Sequence, residues 1–385
     1  MKSYLYDICI VGGGGHVGFP LGLIFSSKNK KVVLLDRNKK VLDLISNGKI
    51  PFKEKFAVSY LKKYRRNIIL SSDFNIIKSC KNIIICIGTP IKKDFSPDLQ
   101  PFFSFFHQLK KLINKNQQII IRSSIYIGSA KRIKKILKTN NITYCPERIV
   151  QSLSLQELPK LPQIVSGYSN NSIRSVSYLF KQICKKIIIT TVQEAELIKL
   201  FSNAYRYINF SISNEFYTIC ENLKMDFSRI RKHMRDGYSR NLSIATAGFA
   251  SGPCLLKDTL QISNYFKNGF KLGLSAVKVN ENIPNFIFKQ LKKNFDLKNK
   301  VIGVLGLAFK AETDDIRDSL SIKFIKILKR NNIKFFQSDE YYHNSETIDK
   351  LELIKKSDII IIGVEHKKYK TLTIPKNRIV INMWK

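Results

Sequence analysis

The chain has 385 residues, 44% of them hydrophobic, enough for two or three domains that each bury a core. Lys and Arg number 66 against 29 Asp and Glu, a formal charge of +37, but the basic residues are scattered and form no arm or tail. That dispersal argues against a dedicated nucleic-acid binder and leaves a basic surface suited to anionic small molecules such as nucleotides.

Asp7-Ile8-Cys9-Ile10-Val11 predicts a short apolar strand, with Cys9 in the core. A glycine cluster follows at once, in which Gly13, Gly15 and Gly18 fit G-x-G-x-x-G, and Val17 to Ile24 suits a helix. A second strand, Lys31 to Leu35, ends in Asp36. Strand, glycines, helix, strand and terminal acid form the full dinucleotide-binding context: glycines admit a pyrophosphate to a helix N-terminus, and the acid takes the ribose 2′-OH. Asp36 would repel a 2′-phosphate, so NAD is favoured over NADP, although Arg37 beside it works the other way.

Strand and helix patterns keep alternating. Ile83 to Ile87 ends at Gly88-Thr89-Pro90, Gln118 to Ile121 at Arg122-Ser123-Ser124, and Ile142 to Cys145 at Pro146-Glu147-Arg148. Doubly wound sheets bind ligands at the carboxyl ends of their strands, where Thr89, Ser124 and Glu147 are placed. Each of the three is also an ordinary turn or cap residue.

From Gln193 to about Leu223 the pattern predicts one long helix, with Leu197, Leu200, Phe201, Ala204, Ile208 and Ile212 as its core stripe. Lys199, Asn203, Tyr207 and Asn214 fall on another face, and Lys199 and Asn203, four apart, can reach one ligand. Such a helix is also a plausible dimer element. Between Gly248 and Asp258 a glycine-bracketed loop delivers Cys254 to the start of a helix, where the dipole favours thiolate, and Asp258 follows at i+4. The same pattern is compatible with a buried structural cysteine. Helical segments run to about Phe295, and then the α/β pattern restarts. Val301 to Leu305, Ile333 to Phe336, Asp358 to Ile362 and Arg378 to Ile381 predict strands of a second, smaller Rossmann-like domain.

The seven cysteines are odd in number and contain no C-x-x-C, which argues for a reducing compartment and against a disulfide framework or a zinc site. No apolar run reaches the ~18–20 residues of a membrane span. Asp7 and the glycine cluster argue against a signal peptide. The chain reads as cytoplasmic, without a membrane partner.

These pieces, in this order, resemble the UDP-glucose/GDP-mannose dehydrogenase family, the nucleotide-sugar 6-dehydrogenases. The resemblance rests on Gly13 to Gly18, Asn47-Gly48 with Pro51 and Glu54, Gly88-Thr89-Pro90, Arg122-Ser123-Ser124 and Pro146-Glu147-Arg148. It continues through Ala195 to Lys199, Asn203, Asn214-Glu215, Cys254 with Lys257-Asp258, Gly306 to Lys310, and Thr313 to Arg317. It implies an α/β architecture: two Rossmann-like doubly wound domains joined by a long central helix and a helical middle region. The divisions are 1–192 for NAD, 193–296 for dimerisation and the cysteine loop, and 297–385 for the sugar nucleotide.

The resemblance further implies a four-electron oxidation of a sugar C6 alcohol to a carboxylate with NAD, for surface polysaccharide synthesis. Cys254 would carry the thiohemiacetal and thioester. Lys199, Asn203 and a water held by Asp258 would stabilise the alkoxide-like oxygens, and Glu147 and Ser124 would position and deprotonate water. NAD would be held by Gly13, Gly15, His16, Val17 and Gly18, by Asp36 and Arg37, and by Thr89, Ser124 and Arg317. The nucleotide sugar would meet Glu147, Arg148, Lys199 and Asn203, then Gly248, Phe309 and Lys310. Arg240 resembles an arginine that reaches a neighbouring subunit's substrate, in a homodimer or larger homo-oligomer. Pro-Glu-Arg points to UDP-N-acetylhexosamines, while the Ser-Gly-Pro-Cys loop with Lys257-Asp258 fits neither that branch nor the UDP-glucose branch fully. A GDP-mannose dehydrogenase, and a non-catalytic basic nucleotide-binding protein, are the alternatives.

Overall fold

The computed structural model describes residues 4–89, 92, 96–267 and 269–384, so Pro90 and Lys385 lie outside the described residues. The chain divides into two compact units, 1–201 and 202–385.

The first unit is built on eight strands: β1 (Tyr6–Val11), β2 (Val32–Leu35), β3 (Ile68–Ser71), β4 (Cys80–Ile85), β5 (Gln118–Ile121), β6 (Ile142–Tyr144), β7 (Gln163–Gly167) and β8 (Ile187–Ile189). Their order is β3-β2-β1-β4-β5-β6-β7-β8. All neighbours are parallel except β6 and β7, so the order reverses beside β1, at the crevice where doubly wound sheets bind dinucleotides. Ile10 pairs with Leu34 on one side and Ile84 on the other. Ile8 and Ile10 pack on one face with Phe19 and Phe25, while Cys9 and Val11 pack on the other with Phe102 and Phe106. Both faces are covered, which is why these strands read as continuous apolar runs. Strands β3, β7 and β8 were not anticipated. β7 carries Gln163 and Ser166 among its apolar residues, and β3 and β8 hold runs of only three apolar residues, too short to separate from a helix segment by pattern.

The second unit holds β9 (Ile302–Leu305), β10 (Phe335–Ser338), β11 (Ile359–Ile362) and β12 (Ile379–Asn382), all parallel in the order β10-β9-β11-β12. The helix Leu320–Arg330 begins at an N-cap, Ser319, and buries Phe324 and Leu328. Helices Pro253–Tyr265 and Lys271–Asn294 complete the chemistry-bearing part of this unit.

The predicted long helix exists as Val192–Asn222, 31 residues. Its core stripe is a correction. Leu200 and Ala204 are buried, but Phe201 is 51% and Ile212 is 43% exposed. The buried face instead carries Lys199, Asn203, Tyr207 and Asn214. Apolar periodicity assumes that the protein interior is apolar. Here the inward face is polar because its residues have specific partners, described below, and the greasy stripe points outward. Among the described residues no helix is long and apolar enough to cross a membrane.

Candidate active site

In the first unit the glycine loop leaves β1 and enters the helix Gly18–Ser26. The reading picked Gly13, Gly15 and Gly18, but the residue with the demanding backbone is Gly12, at φ +81°. A Cβ there would lie 2.8 Å from the Cys86 carbonyl oxygen, so only glycine lets the loop pass over the end of β4. At Gly18 a Cβ would collide with the Gly12 carbonyl. Asp36 stands at the exit of β2. Its Oδ2 accepts from the Gly14 N–H at 3.0 Å and its Oδ1 from the Asn38 N–H at 3.0 Å, and the side chain stays half-buried. Arg37 points out, exposed. Val17 caps the helix, and His16 is stacked 4.0 Å from Phe52 with a ring nitrogen 3.0 Å from Gln151 Nε2. A helix N-terminus with close-packed glycines, next to an accessible carboxylate, fits a dinucleotide.

The other strand exits converge within the same unit. The Thr89 hydroxyl donates to the Ser124 carbonyl at 2.6 Å, tying the β4 exit to the β5 exit. Arg122, 1% exposed, ion-pairs with Glu147 Oε2 and donates to Gln163 Oε1 at 2.9 Å and the Cys145 carbonyl at 3.3 Å. Glu147 Oε1 accepts from the Arg148 and Ile149 N–H groups at 2.7 and 3.0 Å. Glu147 is therefore a fixed carboxylate, with both oxygens engaged. The Arg148 guanidinium donates to the Pro162 carbonyl at 2.6 Å. Arg122 had been read only as part of a motif. A charge directly after three buried isoleucines, Ile119 to Ile121, is the signal that it needs a buried partner. Burial pushes the nearby Cys86 and Cys145 thiols up to about 12, with Arg122 opposing, so both stay protonated and inert near neutrality.

Glu196, 1% exposed, accepts from the Gly128 and Ala130 N–H groups at 2.7 and 3.0 Å. It fixes the first turns of the long helix on which Lys199 and Asn203 follow.

In the second unit Asn203 donates through Nδ2 to Asp258 Oδ2 at 2.6 Å. Asp258 is completely buried, and its Oδ1 has no hydrogen-bond partner, with only the Lys257 ammonium 3.8 Å away. The sequence reading put Asn203 and Asp258 on one reacting group, and the structure bonds them directly. Cys254 lies on the first turn of the helix Pro253–Tyr265 and is exposed. So Cys254 and Asp258 share a helix but differ fully in burial.

The cysteine loop is anchored at several points. The Gly248 N–H donates to Asn214 Oδ1 at 2.9 Å, Asn214 donates to Asn280 Oδ1 at 2.8 Å, and Asn280 donates to the Tyr207 carbonyl at 3.0 Å. Asn280 was not anticipated; among polar neighbours in a helix nothing distinguishes it. The Ser251 hydroxyl donates to the Phe309 carbonyl at 3.3 Å, and a Cβ on Gly252 would lie 2.5 Å from the Phe309 ring. Lys310 follows Phe309, both half-buried. Arg317 grips Asp315 through Nε and Nη2, at 2.5 to 3.0 Å. The Asp315 hydrogen bond pushes the Arg317 guanidinium up against the effect of burial, and the nearby negative charges, Asp315 foremost, push the same way. Arg240 is exposed, beside Tyr238. All seven cysteines are free.

Three models of one family match the chain. The NAD-binding domain of the UDP-glucose/GDP-mannose dehydrogenase family matches residues 6–185, the central domain 193–282 and the UDP-binding domain 303–384. A UDP-N-acetyl-D-mannosamine dehydrogenase of Pyrococcus horikoshii is 27% identical over 383 residues, covering 94% of this chain and 90% of that protein. A UDP-glucose 6-dehydrogenase of Rickettsia bellii is 26% identical, covering 94% and 89%. The solved structure of the UDP-D-ManNAc dehydrogenase from Pyrococcus horikoshii superposes with a TM-score of 0.89 at 26% identity, over 98% of this chain and 95% of that one. With nearly all of its length matched, domain by domain, the chain belongs to the UDP-glucose/GDP-mannose dehydrogenase family of NAD-dependent nucleotide-sugar dehydrogenases.

Proposed function

We propose that the protein oxidises the C6 alcohol of a UDP-sugar to the carboxylate in two hydride removals, through a covalent intermediate on Cys254. The observation that carries this reading is the cysteine helix. Cys254 is exposed at its first turn, while Asp258, one turn on, is buried, bonded to Asn203, and keeps one oxygen unpartnered. A buried acceptor without a partner suits an ordered water. The glycine loop and Asp36 would hold NAD, which would supply the hydride acceptor.

The chain's own groups do the rest. The Lys199 ammonium, the Asn203 amide and the water on Asp258 stabilise the alkoxide-like oxygen as the C6 hydroxyl loses its proton. The Cys254 thiolate adds to the aldehyde carbon, and the oxygen takes up a proton to give a thiohemiacetal. Loss of that proton and a second hydride leaves a thioester. Water positioned by Glu147 and Ser124 then adds, the C–S bond breaks, and the thiolate is regenerated with the carboxylate product. Gly248, Phe309, Lys310 and Arg148 contact the sugar nucleotide, and Arg317 and Arg37 assist cofactor binding. The product uronate supplies a surface polysaccharide.

Pro146-Glu147-Arg148 favours a UDP-N-acetylhexosamine, and the names of the Pyrococcus relatives point the same way. The test is to supply NAD with UDP-N-acetylmannosamine, UDP-N-acetylglucosamine, UDP-glucose and GDP-mannose and follow NADH. Two NADH per sugar on a UDP-N-acetylhexosamine is the expected result; one NADH with released aldehyde overturns the covalent route, and turnover only with GDP-mannose moves the substrate to the alternative.

The outward stripe of the long helix supports a homodimer. Tyr205, Ile212, Phe216, Ile219 and Leu223 are all exposed and recur at spacings of seven, four, three and four. That is the spacing of a seam between helices, and a second copy of the chain is the partner with a matching stripe. The division 1–192, 193–296 and 297–385 is the matching proposal for domains. Sedimentation of Ile212→Asp/Ile219→Asp should show monomer; an unchanged dimer would place the interface elsewhere.

A further inference from the structure

The loop that carries Phe309 and Lys310 is shaped by a buried cluster that the catalytic reading does not use. It starts at Gly306 (φ +87°) and ends at Glu312, which sits in the left-handed region at φ +61°. A glutamate there is strained and persists only where the surroundings over-determine it. Three hydrogen bonds do so. The Glu312 N–H donates to His366 Nδ1 at 3.0 Å, the Lys367 N–H donates to Glu312 Oε1 at 2.9 Å, and the Tyr341 hydroxyl donates to Glu312 Oε2 at 3.0 Å.

His366 has no solvent exposure. Because Nδ1 accepts the Glu312 N–H, the ring proton lies on Nε2, which faces Asp339 Oδ2 at 3.2 Å. The same Oδ2 accepts from the Leu307 and Ala308 N–H groups at 2.6 and 3.1 Å. One imidazole thus joins both ends of the loop: Ala308 through Asp339, and Glu312 directly. Lys310 lies midway between them.

We propose that His366 is a positioning residue for nucleotide-sugar binding, which sets the Phe309–Lys310 loop by bridging Asp339 and the Glu312 N–H. It touches neither substrate nor cofactor. The inference rests on the reading of Lys310 as a sugar-nucleotide contact.

The experiment compares steady-state kinetics of full-length His366→Ala, His366→Asn and Lys310→Ala with both substrates. His366→Ala should raise the KM for the nucleotide sugar roughly tenfold, the scale of one lost ordering hydrogen bond. The KM for NAD should hold, and kcat should change far less than the sugar KM. His366→Asn keeps an acceptor near the Nδ1 position and should recover most of the loss. It also serves as the folded variant if the alanine protein does not fold. In the double variant with Lys310→Ala the two losses should not add, because both act through one loop. A raised sugar KM in Lys310→Ala with normal values in both His366 variants overturns the positioning role alone. An unchanged KM in Lys310→Ala overturns the substrate reading, and the positioning role falls with it. Parallel losses in both KM values and kcat, unrelieved by asparagine, mean that His366 merely supports the fold.

Discussion

The two sheets repeat one plan and use it for opposite ends. In each, the first strand runs into a glycine turn with positive φ, Gly12 after β1 and Gly306 after β9. In each, an aspartate follows the neighbouring strand, Asp36 after β2 and Asp339 after β10. Asp36 ties one loop amide and one of its own, and remains half-open. Asp339 is buried and accepts from Leu307, Ala308, Tyr341 and Tyr342 N–H groups as well as His366. The first arrangement leaves its carboxylate half-exposed. The second consumes it inside the protein. The difference teaches that a strand order and a terminal acid recur with the fold, whereas the hydrogen bonds already made there decide whether the acid stays open to a ligand.

The largest expected effect breaks the sealed half. Asp339→Ala leaves the His366 Nε2–H and the loop amides as buried donors without their acceptor, each costing roughly 1–3 kcal/mol. Denaturant melts should show that loss, while Asp36→Ala should change stability little; equal losses would erase the distinction. Acid sharpens the same contrast. The Asp339 carboxyl is held below the usual carboxylate range: burial pushes it up, but the His366 hydrogen bond, with the Tyr341 and Leu307 amides, outweighs it. A depressed folded value gives stability that is present above the unfolded value of about 3.9 and is lost as pH falls through the folded one. The second unit should therefore loosen as pH drops below about 4, and Asp339→Asn should remove that acid dependence.

Next in size, Cys254→Ser should cut turnover by at least ~10²-fold, about 2.7 kcal/mol of barrier, because the hydroxyl is not ionised near neutral pH. NAD affinity should stay as it is, since the cofactor contacts assigned to the glycine loop lie in the other unit. Wild-type turnover would make Cys254 a structural cysteine.

The smallest effect concerns the open acid. Asp36→Ser should weaken the preference for NAD over NADP by roughly tenfold, about 1.4 kcal/mol, read as the ratio of the two kcat/KM values. No change in that ratio would give control of the 2′ position to Arg37.

Much of the fold was legible in the sequence because buried parallel strands must be apolar on both faces. Ile83 to Ile85, Gln118 to Ile121 and Ile359 to Ile362 announce themselves in that way. The short edge strands β3 and β8 did not, since runs of three apolar residues cannot be told from a helix segment by periodicity. The glycines, Asp36, and the i,i+4 spacings of Lys199 with Asn203 and of Cys254 with Asp258 were readable because each follows a local spacing rule. Local pattern determined these because helix and strand periods are set within a few residues.

Tertiary structure alone decided which face of the long helix turned inward. Apolar spacing favoured Phe201 and Ile212, but Asn203 and Asn214 find buried partners in Asp258 and Asn280, and Tyr207 a half-buried one in Glu281. It alone also joined Arg122 to Glu147 and His366 to Asp339 and Glu312, pairs separated by 25, 27 and 54 positions. A hydrogen bond between distant residues leaves no periodic trace in the chain. It exists only once the strand ends are brought together, because the free energy of a buried polar group depends on the partner it meets there.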